Sequence, residues 1–144
     1  MAQTVQVTFD AHDPRALAGF WAEVLGYADD PPPPGFDSWE ATLDAWGIPP
    51  ERRNDRWAVS DPDGAGPRLF FQRVPEGKTA KNRVHLDVRT APGRTGPERM
   101  AALDARATEL IALGATVLTR IEPDVIDAGH VVMQDPEGNE FCLD

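Results

Sequence analysis

The sequence is short of cysteine, of cations and of long apolar runs. A single cysteine, Cys142, cannot close an intrachain disulfide, so nothing in the fold calls for an oxidising compartment. Lys and Arg number 14 against 24 Asp and Glu, a formal net charge of −10. Such a surface repels nucleic acid and anionic lipid within a Debye length, which removes both from the expected partners. No stretch approaches the roughly 20 apolar residues of a membrane span. Met1 to Asp13 lacks the basic start and apolar run of a secretory signal, so the expected setting is cytoplasmic. What is present is a globular composition, 41% hydrophobic and 26% charged. At 144 residues the chain has room for one ordinary domain or two half-sized modules sharing a core.

Thr4 to Phe9 alternates strictly, with Val5, Val7 and Phe9 apolar and Thr4, Gln6 and Thr8 polar, the period of a strand with one face in a core. Asp13 reads as a helix N-cap with Pro14 at the first helical position. Leu17, Phe20, Trp21, Val24 and Leu25 follow at helical spacing until Gly26 stops the helix. The order recurs further on. Val84, Leu86 and Val88 alternate with His85, Asp87 and Arg89; a helix starts near Pro97 with the stripe Met100, Leu103, Ala107, Leu110 and Ile111; Gly114 ends it. Asp61-Pro62-Asp63-Gly64 precedes the strand Leu69 to Gln72, and Asp135-Pro136-Glu137-Gly138 precedes the strand Glu140 to Leu143, so a matching reversal joins two strands in each half. The repeat predicts an α+β chain of two βαβββ modules, residues 1–80 and 81–144, within a single domain spanning 1–144.

The first module is longer by an insert at 30–55. Pro31 to Pro34 reads as extended polyproline, and Phe36, Trp39, Leu43 and Trp46 as one face of a short helix. Glu51 to Asp55 is a charged connection to a strand around Trp57 to Ser60. The apolar stripe needs a surface to bury against, so the insert is not a domain linker.

The helix end Phe20-Trp21-Ala22-Glu23-Val24-Leu25-Gly26, the closing Asp135-Pro136-Glu137-Gly138-Asn139-Glu140-Phe141 and the paired modules resemble the vicinal oxygen chelate superfamily. Glyoxalase I, extradiol dioxygenases and bleomycin-type resistance proteins belong to it. Phe70 to Lys78, Lys81 to Val88 and the Phe36 to Trp46 insert are similar to a glyoxalase-like subfamily common in actinobacteria. The resemblance implies that each module curls into a half-open barrel, that two concave sheets share a cavity, and that copies pair as a homodimer. The scaffold carries very different chemistries, and binding without chemistry, so function has to be read from the cavity residues.

With the apolar face of each strand under its helix, alternation directs Gln6, Phe70 and Gln72 of module one, and His85, Asp87, Arg89, Glu140 and Cys142 of module two, to the concave side. Metal-dependent relatives take one ligand, typically His or Glu, from the first and last strand of each module. The matching positions are Gln6, Phe70 or Gln72, His85 and Cys142. Only His85 fits well, because Gln is a weak neutral ligand, Phe is none, and Cys replaces a carboxylate. His85 therefore reads as a metal ligand, as an imidazole bonded to Asp87 or water that serves as acid, base or anchor, or as a satisfied polar residue of a strand. Asp87 and Arg89 either pair with each other or meet a polar substrate. Glu140 is a general base, or it salt-bridges Arg68 or Arg89. Cys142 has no cue that would activate a thiol and reads as packing. Trp39, Trp46 and Trp57 form an aromatic lid for a planar substrate or bury the insert helix. His12 and His130 are given no chemistry.

Two functions of different class follow. The first is a small-organic-molecule-binding protein without the usual metal quartet and without a cofactor. Its catalytic candidates are His85 and Glu140; its ligand-binding candidates are Gln6, Phe70, Gln72, His85, Asp87, Arg89, Cys142, Trp39 and Trp46. The alternative is a divalent-metal-dependent lyase, isomerase or dioxygenase centred on His85. The missing carboxylates favour the first and speak against the glyoxalase I reaction itself.

Overall fold

A computed structural model describes residues 1–144, and the chain divides into two compact units, Met1–Gly77 and Lys78–Asp144. The break precedes the 80/81 boundary read from the repeat, because Lys78 lies with the second unit, its ammonium 3.2 Å from Glu140 Oε2.

The first unit runs β1 (Val7–Ala11), α1 (Pro14–Leu25), β2 (Ala28–Asp29), α2 (Trp39–Ala45), a 3-10 turn at Pro50–Arg52, β3 (Arg56–Ser60) and β4 (Leu69–Arg73). Its sheet order is β1-β4-β3-β2, with β1 and β4 parallel and the remaining pairs antiparallel. The first strand begins at Val7 rather than Thr4, since the ladder with β4 starts at Val7 opposite Leu69; Val5 is 71% exposed. Helix α1 forms as its sequence dictates. The Asp13 carboxylate accepts from the Ala16 N–H, Pro14 opens the first turn, and Gly26 closes the helix at φ 71°, a left-handed conformation that costs glycine little. Leu17, Phe20, Trp21 and Val24 are buried with Val59, Leu69 and Phe71, and Phe9 stacks on Phe71 at 5.0 Å between ring centroids. Each fully buried Leu or Phe of this core stabilises the unit by about 2 kcal/mol. The opposite parity carries Phe70 and Gln72 of β4, Arg56 and Ala58 of β3, and Thr8 and Asp10 of β1.

The insert contains the expected helix, α2, capped by the Ser38 hydroxyl at the Ala41 N–H. Phe36, Trp39 and Leu43 are half-buried, whereas Trp46 is 55% exposed. The most buried position belongs to Thr42, whose hydroxyl donates to the Ser38 carbonyl and so carries no unmet polar group inward.

The second unit repeats the arrangement with β5 (Leu86–Val88), α3 (Gly96–Ala112), β6 (Thr116–Ile121), β7 (His130–Gln134) and β8 (Glu140–Leu143), in the order β5-β8-β7-β6. Again the first and last strands are parallel. Val84 falls outside β5 and is 80% exposed, because pairing with β8 starts at Leu86 opposite Phe141. Ile111 lies off the buried stripe of α3, and Arg99, a residue the apolar pattern passes over, lies on it. Its charge is met by Asp144 at 2.7 Å and by the Gly129 carbonyl at 3.0 Å. The two Asp-Pro reversals are built alike. Asp61 accepts the N–H groups of Asp63, Ala65 and Gly66; Asp135 accepts those of Glu137 and Asn139 and the Asn139 side-chain amide. No helix is long and apolar enough to cross a membrane.

Candidate functional site

In the first unit, α2 and the loop after it meet β3 and β4 around a cavity of about 360 Å³. Trp39, Trp46, Trp57 and Phe70 line it together with Leu43 and Ile48. The Trp39 indole N–H donates to the Asp30 carbonyl at 2.7 Å and that of Trp57 to Asp29 Oδ1 at 2.9 Å. With those donors satisfied, the rings serve as apolar wall, their centroids 6.0 Å apart. The Arg15 guanidinium covers Trp57 at 4.1 Å from the ring centroid. Charged residues complete the wall: Arg52, Arg53, Arg56 and Arg68 with Asp30 and Asp55.

The second unit gathers His85, Asp87 and Cys142 on one face, because His85 and Asp87 are two residues apart at β5 and Asp87 stands opposite Cys142 in the β5–β8 ladder. His85 Nε2 lies 3.2 Å from Asp87 Oδ1, and the donor atoms of all three residues lie within 4.8 Å of one another. Desolvation first, then the Asp87 carboxylate, pushes the Cys142 thiol up to about 11. The three residues open into a polar cavity of about 410 Å³ that also holds Asp127, His130, Arg89 and Asp144. Arg89 pairs with Asp144 and Asp87 with His85, so of the two readings of Asp87 and Arg89 their mutual pair is not made. His130, given no role from sequence, bonds Asp127 through Nδ1 at 3.1 Å. Within the second unit Glu140 does not meet Arg89: Lys78 and the Asn82 N–H meet its Oε2 at 3.2 and 3.0 Å. The Asn82 N–H chiefly, with the Lys78 ammonium, holds its carboxyl below the ordinary glutamate value.

The sequence matches the glyoxalase-like domain family over residues 6–143. The chain belongs to that family. No curated protein matches it. Among solved structures, a glyoxalase/bleomycin resistance protein/dioxygenase family enzyme from Burkholderia phytofirmans is similar at 18% identity, TM-score 0.62, over 99% of this chain and 97% of that one. The fosfomycin resistance protein FosX from Mesorhizobium loti is similar at 10% identity, TM-score 0.61, over 99% and 90%. A FosX variant from Listeria monocytogenes, solved with Mn(II) and a dihydroxypropylphosphonic acid, is similar at 10% identity, TM-score 0.60, over 99% and 89%. These likenesses establish the two-module glyoxalase-like fold, and the superfamily read from the motifs is supported with it.

Glyoxalase-like proteins that use a metal set the test for the matching positions here. The first unit does not fit. Gln6 Oε1 accepts from Arg68 Nη1 at 2.6 Å, Gln72 spends its amide N–H on Asp10 at 2.8 Å, and Phe70 has no donor atom. A fixed guanidinium at the Gln6 oxygen opposes a divalent cation. The second unit offers one nitrogen, one carboxylate and one sulfur, a set suited to a borderline-soft ion once the thiol has lost its proton.

Of the cavity's arginines the sequence singles out Arg68 alone, as a partner for Glu140. Strand parity carries a signal for Arg56 only, which lies two residues before Ala58 on the face that Phe70 shares.

Proposed function

We propose that this glyoxalase-like protein binds a small organic molecule with a planar apolar body in the aromatic cavity of the first unit, without the four-residue metal centre of metal-dependent relatives. The observation that carries the reading is the wall formed by Trp39, Trp46, Trp57 and Phe70 around about 360 Å³, a volume in the range of small-ligand cavities. The indole faces supply stacking area that loses little conformational freedom on binding, because both Trp39 and Trp57 are already anchored through their N–H groups. Calorimetric titration with planar aromatics, naphthoate and naphthamide among them, tests the reading. Saturable binding that weakens in Trp39→Ala and in Phe70→Ala is expected; binding of equal strength in both variants and the unaltered protein sinks it.

A second reading rests on His85, Asp87 and Cys142, whose clustered donors favour a divalent ion held by the second unit and an enzyme centred on His85. Cobalt(II) is the probe. A thiolate-to-metal charge-transfer band and intense visible bands that vanish in His85→Ala support this reading, and an unchanged spectrum on addition of cobalt removes it.

A further inference from the structure

We infer that the ligand of the first unit's cavity is an aromatic carboxylate whose acid group is taken by Arg56, so that Arg56 sets the preference for the acid over its neutral analogue. This rests on the cavity reading above. The protein carries a formal charge of −10, yet the cavity wall holds four arginines against two aspartates. With Asp44 counted, which pairs with Arg53 from outside the wall, one guanidinium is left unmatched, a local positive site on a molecule that is negative as a whole.

Three of the four guanidiniums are already matched. Arg52 meets Asp55 at 3.1 Å, Arg53 meets Asp44 at 2.6 Å, and Arg68 meets Asp30 at 2.7 Å while also holding Gln6. Both aspartates of the wall are used in these pairs. The Arg56 guanidinium makes no hydrogen bond or ion pair with any residue. Its cross-strand neighbour on β4 is Gln72, a neutral residue whose amide is given to Asp10. One free, planar, five-donor fork beside an indole-lined wall suits a carboxylate, which it can bind bidentately. The fork can also meet two oxygens of a phosphate, but the third would then have no free donor on this wall, whereas both oxygens of a carboxylate are met.

Arg56 is exposed, lies on a strand and has no partner to orphan, so its replacement leaves the packing of Ala58 and Val59 intact. Calorimetry with naphthoate and its uncharged isostere naphthamide reads the inference directly. In the unaltered protein naphthoate is expected to bind roughly tenfold to a hundredfold more tightly than naphthamide, the range of one charge-assisted hydrogen-bonded contact. Arg56→Ala should bring naphthoate down to the level of naphthamide and leave naphthamide unchanged. Arg56→Lys, which keeps the charge but not the fork, should recover part of the difference and should melt at the same temperature as the parent. Equal affinity for the two compounds, or an Arg56→Ala loss that strikes both alike, overturns the role of Arg56 while leaving the aromatic cavity standing. Failure of both compounds to bind overturns both.

Discussion

The amide oxygen of Gln6, the atom through which that side chain would ligate an ion, accepts a hydrogen bond from Arg68 Nη1 at 2.6 Å. Arg68 is itself held in place by Asp30, so the cation cannot leave without abandoning an ion pair. Any uptake of Mn(II) or Zn(II) should therefore be the same in Gln6→Ala as in the parent and be abolished by His85→Ala. Metal titrations of the two variants decide this. Weaker uptake in Gln6→Ala would return the first unit to the metal centre.

Cys142 is expected to react slowly. Its thiol lies near 11 through burial and then through the Asp87 carboxylate, and only the thiolate is nucleophilic. In metal-free protein, alkylation at about pH 8 should lag well behind that of an exposed cysteine and still be rising where an ordinary thiol has reached its plateau. Asp87→Asn removes the neighbouring charge and should shift the rate profile to lower pH, though not to the ordinary value, because the larger cause, burial, persists. A profile that does not move would show that Asp87 has no hold on the thiol.

Glu140 links stability to acid. Its folded-state pKa is lowered, so on acidification the unfolded chain takes up the proton first. The stabilisation is complete above the ordinary value of 4.5 and disappears as pH falls through the folded-state value. Urea midpoints followed from about pH 7 to about pH 3 should decline, and Glu140→Gln should be less stable near neutrality and show a shallower decline. Identical slopes for variant and parent would assign the acid sensitivity to other carboxylates.

The twin reversals differ in depth. Asp135 is 3% exposed and gathers three donors from Glu137 and Asn139, so Asp135→Ala strands half-buried N–H groups and should cost about 1–3 kcal/mol in chemical denaturation. Asp61 makes an equivalent turn nearer to solvent, and Asp61→Ala is expected to cost less. A reversed order would show that the first turn governs stability.

Much of this architecture was legible in the residues. Asp13, Pro14 and Gly26 bracket α1 because capping and left-handed closure are local events, fixed by side chains within one turn of the backbone they serve. The strand at Glu140 to Leu143 was equally plain, announced by the turn before it. The charged wall of the aromatic cavity was not, because alternation says which face a residue occupies but not which of several arginines finds an acid. Arg52, Arg53 and Arg68 are distinguished from Arg56 only by distances to Asp55, Asp44 and Asp30 across the fold. Arg99 escaped for a related reason. An apolar stripe reads a charged residue as a gap, whereas here the gap is filled by an arginine whose partner, Asp144, lies 45 residues away.

The parallel pairing of first and last strands has a bearing on how the chain is made. In each unit the last strand, β4 or β8, lies between the first strand and the third, so the middle of the sheet is laid down at the end. While the polypeptide is still being synthesised, Val7 has no ladder until Leu69 emerges, and Leu86 waits in the same way for Phe141. Such distant pairings form late and leave apolar strand faces uncovered in the interval. Each unit can therefore close its sheet only after its own last strand has emerged, and until then the apolar faces of its earlier strands stand open to aggregation.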